Sequence, residues 1–205
     1  MGGNVFIVTA PSGAGKTSLV HALVKAVPEA AISVSHTTRP PRPGEVADQH
    51  YHFVDVAKFE KMIEAGEFLE HANVFGNYYG TSVRSVESLI AADREVILEI
   101  DWQGAEQIKK KMPSALGIFV LPPSVDTLKK RLDKRGQDAP EVIARRLAEA
   151  RAEIAHHESF DYLVVNDRFE DALDDMIAIV RTARLRAPGQ RKRLQPLLTD
   201  LLNEV

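Results

Sequence analysis

The stretch VFIVTAPSGAGKTSLV, residues 5–20, decides the fold of this chain. Its first five residues, Val5–Thr9, are an apolar run of the kind that becomes a strand covered on both faces. The run leads into APSGAGKT, residues 10–17, after which leucine and valine recur near helical spacing and predict a helix over Lys16–Ala26. A strand, a glycine-rich loop and a helix in this order are typical of a loop that binds phosphate groups.

The loop fits the pattern G-x-x-x-x-G-K-[ST] except at its first position, where Ala10 replaces glycine. Lys16 is expected to reach the β- and γ-phosphates of a nucleoside triphosphate, and the Thr17 hydroxyl to bind Mg²⁺. The alternative is a glycine-rich turn with a solvated lysine, which the order of strand, loop and helix disfavours. The predicted nucleotide-binding residues of the loop are Ala10, Pro11, Ser12, Gly13, Ala14, Gly15, Lys16, Thr17 and Ser18.

Further apolar runs along the chain have the length of buried strands, and helical patterns separate them. The predicted strands are Glu95–Asp101, Leu116–Leu121 and Tyr162–Val165. The predicted helices are Val83–Ala92, Ala105–Met112, Val125–Lys134, Pro140 to about His156, and Glu170–Arg186. Strands spaced by helices favour a mostly parallel sheet with helices on both faces. The sequence therefore predicts a three-layer α/β fold.

Two stretches interrupt this alternation and predict the domain organisation. Residues 35–82 are rich in aromatic, branched and turn-forming residues, which predicts an inserted β-rich lobe with one helix at Ala57–Ala65. Residues 124–159 are helical and rich in arginine, which predicts a lid that projects from the edge of the sheet. The core domain would then comprise residues 1–34, 83–123 and 160–205.

The composition excludes several classes of protein. The 26 basic and 29 acidic residues give a net charge of −3, whereas a protein that binds nucleic acid is usually basic. The chain has no cysteine, so it has no disulfide, no cysteine-ligated zinc and no thiol nucleophile. It shows neither a signal peptide nor a membrane-spanning run. We expect a cytoplasmic protein that binds neither nucleic acid nor a membrane, as a monomer or a homo-oligomer.

The segment SHTTRPPR, residues 35–42, carries a candidate site for a second phosphate group. Arg39 and Arg42 flank two prolines that stiffen the backbone, so both guanidinium groups are held at little entropic cost. Paired arginines bind a phosphate dianion well. A solvated basic turn is an equally good interpretation of this segment taken alone.

The residues Asp101–Gly104 fit the D-x-x-G motif of GTPases, but no N-K-x-D motif for recognising guanine occurs in the chain. Asp101 is therefore better interpreted as an acidic residue beside Mg²⁺ or substrate, or as the cap of the following helix.

Taken together, these segments make the sequence resemble the guanylate kinase family in its bacterial, single-domain form. The matching pieces follow the family's order over roughly residues 5–181: APSGAGKT, SVSHTTRPPRPGE, GNYYGTS, LEIDWQG, KKRLDKRG and VVND. The resemblance implies a P-loop nucleoside-monophosphate kinase with an inserted GMP-binding lobe and a helical lid. It also implies Mg²⁺-dependent phosphoryl transfer from ATP to GMP, giving ADP and GDP.

The resemblance assigns roles in acceptor binding. Arginines at the positions of Arg39 and Arg42 hold the GMP phosphate in the family. A carboxylate at Glu70 suits guanine, because it can accept hydrogen bonds from both N1–H and the 2-amino group, a donor pair that adenine lacks. The family usually has aspartate where this chain has Glu99. The implied GMP-binding residues are Ser35, Arg39, Arg42, Tyr51, Glu70, Tyr79, Thr81, Glu99, Asp101 and Arg146.

The resemblance also assigns roles on the ATP side. Arg131, Arg135 and Arg146 match arginines that lie near ATP or close over the transferred phosphoryl group, and Asn166 and Asp167 match positions beside adenine. The implied catalytic residues are Lys16, Arg42, Arg135 and Arg146.

Two other functions stay open on the sequence alone. The chain could be an inactive guanylate-kinase-like module that binds peptides, although the loop and lid residues that such modules lose are present here. It could also phosphorylate another nucleoside monophosphate. The C-terminal stretch is rich in basic residues and then in leucine. We interpret it as a helix end followed by a short oligomerisation or docking helix, and the alternative is a basic cluster that contacts nucleic acid or an acidic partner.

Overall fold

The computed structural model of the chain describes residues 2–74, 76–133 and 140–203. The elements in chain order are β1 (Val5–Thr9), α1 (Lys16–Ala26), β2 (Ala30–Ile32), β3 (His36–Thr37), β4 (His52–Phe53), α2 (Val56–Glu64), β5 (Phe68–Val74), β6 (Asn77–Ser82), α3 (Val83–Ala91), β7 (Glu95–Glu99), α4 (Trp102–Lys111), β8 (Leu116–Leu121), α5 (Val125–Leu132), α6 (Pro140–Ile154), a 3₁₀ helix (Ala155–Ser159), β9 (Tyr162–Val165), α7 (Phe169–Arg184), α8 (Ala187–Arg193) and α9 (Gln195–Asn203).

The central sheet has the strand order β2-β7-β1-β8-β9, and all of its strand pairs are parallel. All five residues of β1 are buried, because helices cover both faces of the sheet. Phe6 and Val8 pack toward α1 and α7, whereas Val5 and Ile7 pack toward α3 and α4. The predicted three-layer α/β fold is confirmed, with its mostly parallel central sheet.

One strand was not predicted from the sequence, and one helix begins a turn earlier than predicted. Strand β2 has three residues, at the edge of the sheet, and this short alanine-containing segment has no run of branched residues that would have indicated a strand. Helix α4 begins at Trp102 instead of Ala105, because the Asp101 side chain caps it by accepting a hydrogen bond from the Gly104 N–H.

A second sheet is built from residues 36–82, with the strand order β4-β3-β6-β5. Strands β3 and β4 are parallel, and the other pairs are antiparallel. Helix α2 closes one face of this sheet, where the Phe59 ring stacks on the rings of Phe68 and Tyr78 at centroid distances of 4.5 and 5.3 Å. This sheet therefore has a small hydrophobic core of its own.

The segment between β8 and β9 folds into α5, α6 and the 3₁₀ helix. Leu128 and Leu132 of α5 pack against Leu147 and Ala150 of α6 in a separate small cluster. Within residues 2–74, 76–133 and 140–203, no helix combines the length and the hydropathy needed to cross a membrane.

Two residues of the basic C-terminal stretch are bound to the core. Arg184 and Arg193 both form ion pairs with Asp93 and with Glu95, whose side chain is fully buried at the start of β7. Asn4 also donates to Glu95, at 2.7 Å. These contacts fasten α8 to the start of the inner strand β7, so part of the basic cluster stabilises the fold.

Replacing Glu95 with glutamine should lower the free energy of unfolding by about 3 kcal/mol, because it leaves two buried or half-buried arginines without their shared carboxylate. Urea denaturation followed by circular dichroism measures this loss. The control is Glu87→Gln, which neutralises an exposed carboxylate on α3. Equal stability of the two variants would show that the ion pairs add nothing to the fold.

Candidate active site

The phosphate-binding loop connects the end of β1 to the start of α1. Gly13 and Gly15 have φ values of 87° and 94°, a left-handed conformation that favours glycine. A Cβ atom at Gly15 would also lie 2.5 Å from the amide nitrogen of Asn166. Among the described residues other than glycine, only Asp48 and Asp93 have a positive φ, so Ala10 has an ordinary backbone conformation. The loop therefore does not need glycine at its first position.

The functional side chains of the loop contact the ends of the neighbouring strands. The Lys16 Nζ donates to the carbonyl oxygen of Ile100 at 3.2 Å. The Thr17 hydroxyl donates to the Glu99 carboxylate at 2.5 Å. Asp101 lines the same cavity of about 460 Å³ as the loop. The ammonium group, the hydroxyl and two carboxylates thus converge where the parallel strands end.

One residue in this cavity was not predicted from the sequence. The Glu153 carboxylate, on α6, accepts a hydrogen bond from the Ser12 N–H at 3.1 Å. Burial raises the pKa of Glu153, and the nearby Asp101 carboxylate acts in the same direction. A protein carboxylate therefore bonds to a backbone N–H of the kind that binds phosphate in such loops. No local sequence pattern indicates this contact, because 141 residues separate Ser12 from Glu153.

The arginine clamp lies in a second cavity, of about 240 Å³, between α1 and the β-rich lobe. Arg39 and Arg42 line this cavity together with Tyr51 and Tyr79. The guanidinium carbon of Arg39 lies 5.4 Å from the centre of the Tyr51 ring, within range of a cation–π interaction. Burial raises the pKa of Tyr51, so its hydroxyl stays protonated and can donate a hydrogen bond. An anion bound in this cavity could therefore face the Tyr51 hydroxyl and both guanidinium groups.

Glu45 is a second residue that the sequence analysis missed. Its carboxylate accepts hydrogen bonds from both terminal nitrogens of Arg39, at 3.0 and 2.8 Å, and from the Arg42 N–H at 2.6 Å. The hydrogen bond with Arg39 lowers the pKa of Glu45 and raises that of Arg39. The sequence signal that could have indicated this contact is the spacing, since Glu45 lies only three positions after Arg42 and six after Arg39.

Glu70 occupies the floor of a third cavity, of about 260 Å³, which Lys16, Arg42 and Asp101 also line. The Glu70 side chain is 3% exposed, and its Oε1 accepts a hydrogen bond from the Thr81 hydroxyl at 2.5 Å. Burial raises the pKa of Glu70 to about 7, although the bond from Thr81 opposes this shift. The Ser35 hydroxyl lies 3.5 Å from that of Thr81.

The remaining predicted ATP-side residues are distributed beneath the loop and in the lid. Arg131 donates to the carbonyl oxygens of Asn166, at 2.9 Å, and Ala14, at 3.4 Å. The buried Asn166 side chain also donates to the Ala14 carbonyl oxygen, at 2.7 Å.

Three more predicted residues complete the set. Arg146 lies on α6 and donates to the carbonyl oxygen of Leu132 at 3.3 Å. Asp167 is exposed and is the second residue after β9. Arg135 lies outside the described residues.

Comparison with known proteins gives one family over nearly the whole chain. The model of the guanylate kinase family matches residues 2–183. A guanylate kinase of Alkalilimnicola ehrlichii is 54% identical over 202 residues, covering 98% of this chain and 100% of that protein. The guanylate kinase of Escherichia coli K12 is also 54% identical, with 98% of both chains covered. A crystal structure of guanylate kinase from Anaplasma phagocytophilum aligns with a TM-score of 0.78 at 32% identity, covering 95% of this chain and 94% of that one. With the loop, the arginine clamp and the buried carboxylate in place, this chain belongs to the guanylate kinase family.

Proposed function

We propose that this chain transfers the γ-phosphoryl group of ATP to GMP, giving ADP and GDP. The observation that carries the proposal is one continuous cavity in which Lys16 of the phosphate-binding loop faces the same space as Arg42 and Glu70. A triphosphate bound to the loop and a monophosphate bound to the clamp would therefore meet at Lys16. This arrangement suits transfer between two nucleotides in line.

The acceptor would be bound at its two ends. Arg39 and Arg42, with the hydroxyls of Tyr51 and Tyr79, hold the phosphate dianion through charge-assisted hydrogen bonds. The ionised Glu70 carboxylate accepts from guanine N1–H and the 2-amino group, with Thr81 and Ser35 beside it. Buried polar groups that a wrong base leaves unpaired give strong discrimination, so we assign the choice of guanine to Glu70.

On the donor side, the loop would hold the triphosphate, and Arg131 and Asn166 stabilise the loop from below. The hydroxyl of Thr17 and the carboxylates of Glu99 and Asp101 are oxygen ligands of the kind that Mg²⁺ prefers. These residues fit the ion, either directly or through water. When bound, Mg²⁺ neutralises charge on the β- and γ-phosphates.

The reaction would need positioning and charge stabilisation only. A GMP phosphate oxygen forms the new bond to the γ-phosphorus as the bond to the ADP oxygen breaks. The attacking phosphate is ionised near neutral pH, since the second pKa of a phosphate monoester is about 6, and so no general base is required. Lys16, with Arg42, Arg135 and Arg146, would stabilise the charge of the moving phosphoryl group.

We also expect the chain in the cytoplasm, because a protein without cysteine forms no disulfide and so needs no oxidising compartment.

The first test is ADP formation from Mg-ATP with GMP, AMP, CMP and UMP as parallel acceptors. We expect turnover with GMP far above that with the other three, and a loss of at least 100-fold in Lys16→Ala, since a charge that stabilises the transition state is removed. The matched control is Lys25→Ala at the other end of α1, which should leave the rate unchanged. A folded protein that binds GMP without any turnover would instead support the peptide-binding module.

The second test concerns the ionisation of Glu70. Because the carboxyl group has a pKa of about 7 and only its ionised form accepts both hydrogen bonds, guanine affinity should approach its full value about one unit above pH 7 and fall as the pH decreases through 7. Guanosine has no phosphate group to titrate, so its inhibition constant as a competitor of GMP, determined at each pH, measures this dependence. Glu70→Gln should give weaker binding that does not vary between pH 6 and 8.5. The same pH profile in both proteins would show that another group titrates.

The third test concerns Glu153. Its carboxylate bonds to the Ser12 N–H, so ATP phosphates must replace it, and Glu153→Gln removes the negative charge that opposes them. We expect ATP to bind several-fold more tightly, measured by titration calorimetry. Glu149→Gln, one turn earlier on α6, is the control for loss of a charge on this helix. Weaker ATP binding in Glu153→Gln would show that Glu153 supports the nucleotide.

A further inference from the structure

Glu70 lies directly after an irregularity in strand β5. Phe68 pairs with Ser82 and Glu70 pairs with Thr81, so two residues of β5 oppose one residue of β6, and Leu69 is the extra residue of a bulge. In a regular ladder Glu70 would lie opposite Gly80, which has no hydroxyl. The bulge therefore brings the Glu70 carboxylate opposite Thr81, whose hydroxyl donates to it.

The bulged segment is at the edge of its sheet, and helix α4 of the core takes the place of a neighbouring strand. The Gln107 amide makes two hydrogen bonds to the backbone of His71: its Oε1 accepts from the N–H at 3.2 Å, and its Nε2 donates to the carbonyl at 2.9 Å. One turn later, Lys111 donates to the carbonyl oxygens of Leu69 and Phe68. Side chains of α4 thus hold the backbone on both sides of Glu70.

One turn before Gln107, the same helix leaves room for the carboxylate. A Cβ atom at Gly104 would lie 2.6 Å from Glu70 Oε2, closer than real Cβ atoms approach, and 3.1 Å from the Glu70 Cδ. The Gly104 φ is not positive, so its backbone conformation does not require glycine. The absence of a side chain matters here because Glu70 packs against Gly104, with Ile100 Cδ1 the next nearest atom at 3.3 Å.

We propose that Gly104 and Gln107 are positioning residues that set the location of the Glu70 carboxylate and thereby the preference for guanine. The inference rests on the proposed function, in which Glu70 binds the guanine edge. Helix α4 also begins at the Asp101 cap. The helix that places a carboxylate beside the phosphates therefore also places the carboxylate that recognises the base.

A displaced Glu70 carboxylate should affect recognition of only one edge of the purine, the edge that carries N1–H and the 2-amino group. A carboxylate accepts from N1–H and from the 2-amino group together only when both of its oxygens lie in the plane of the base. IMP has N1–H but no 2-amino group. A displaced Glu70 should therefore lose more with GMP than with IMP, whereas general damage to the lobe should reduce the use of both equally.

The experiment measures kcat and KM for GMP and IMP, at saturating Mg-ATP, in the wild type, Gly104→Ala and Gln107→Ala. We expect KM for GMP to rise about tenfold or more, since hydrogen bonds to a charged group are disturbed. The preference for GMP over IMP should fall, and the KM for ATP should not change. Gln107→Glu keeps the acceptor for the His71 N–H and loses the donor, so its KM should be intermediate. Gln103→Ala, an exposed glutamine on the same helix, is the matched control.

Folding and function can be separated in this design. Alanine is a better helix former than glycine, so Gly104→Ala should retain its thermal stability while its GMP preference changes. Unchanged KM and unchanged preference in both variants, with an active wild type, would overturn the inference alone. Loss of the folded state in both variants would also overturn it, by showing that the contacts only hold the lobe. A wild type without GMP turnover would instead overturn the proposed function.

Discussion

The position of β1 at the centre of a parallel sheet is the constraint on which the rest of the structure depends. Strand β1 pairs with β7 on one side and with β8 on the other. The chain runs from β1 toward β2 at one edge of the sheet and from β8 to β9 at the other edge, so the loop after β1 opens where these connections diverge. Ligands of open α/β sheets bind at this point, beyond the carboxyl ends of the strands. The loop therefore meets Glu99 and Asp101 at this point, although 82 residues separate Thr17 from Glu99 along the chain.

The inserted lobe depends on the core for the placement of its own functional group. The packing of α2 against one face of its sheet stabilises the lobe, but the edge strand β5 completes its hydrogen bonds with side chains of α4. An exposed edge would otherwise present unpaired N–H and carbonyl groups to solvent or to another chain. The side chains of α4 that cover this edge thus also join Glu70, the proposed base-binding carboxylate, to the core.

Protein carboxylates bond to two of the donors that the proposed function assigns to phosphate. Glu45 pairs with Arg39, and Glu153 accepts from the Ser12 N–H. Binding of phosphate at these two donors would exchange one anion for another, and its net free energy would be the difference between the donor–phosphate and the donor–carboxylate interactions.

The sequence by itself determined the fold class and the glycine-rich loop, because each depends on residues close together in the chain: a continuous apolar strand and glycines at left-handed positions. It offered the paired arginines only as a candidate site, with a solvated turn equally open. It did not indicate the short strand β2 or the roles of Glu45, Glu153 and Gln107. For Glu153 and Gln107 only the tertiary structure could decide, since their partners lie 141 and 36 residues away, and a local pattern carries no information about distant contacts. The same holds for Glu70, whose burial, raised pKa and position opposite Thr81 depend on a bulge in β5 and on the packing of helix α4.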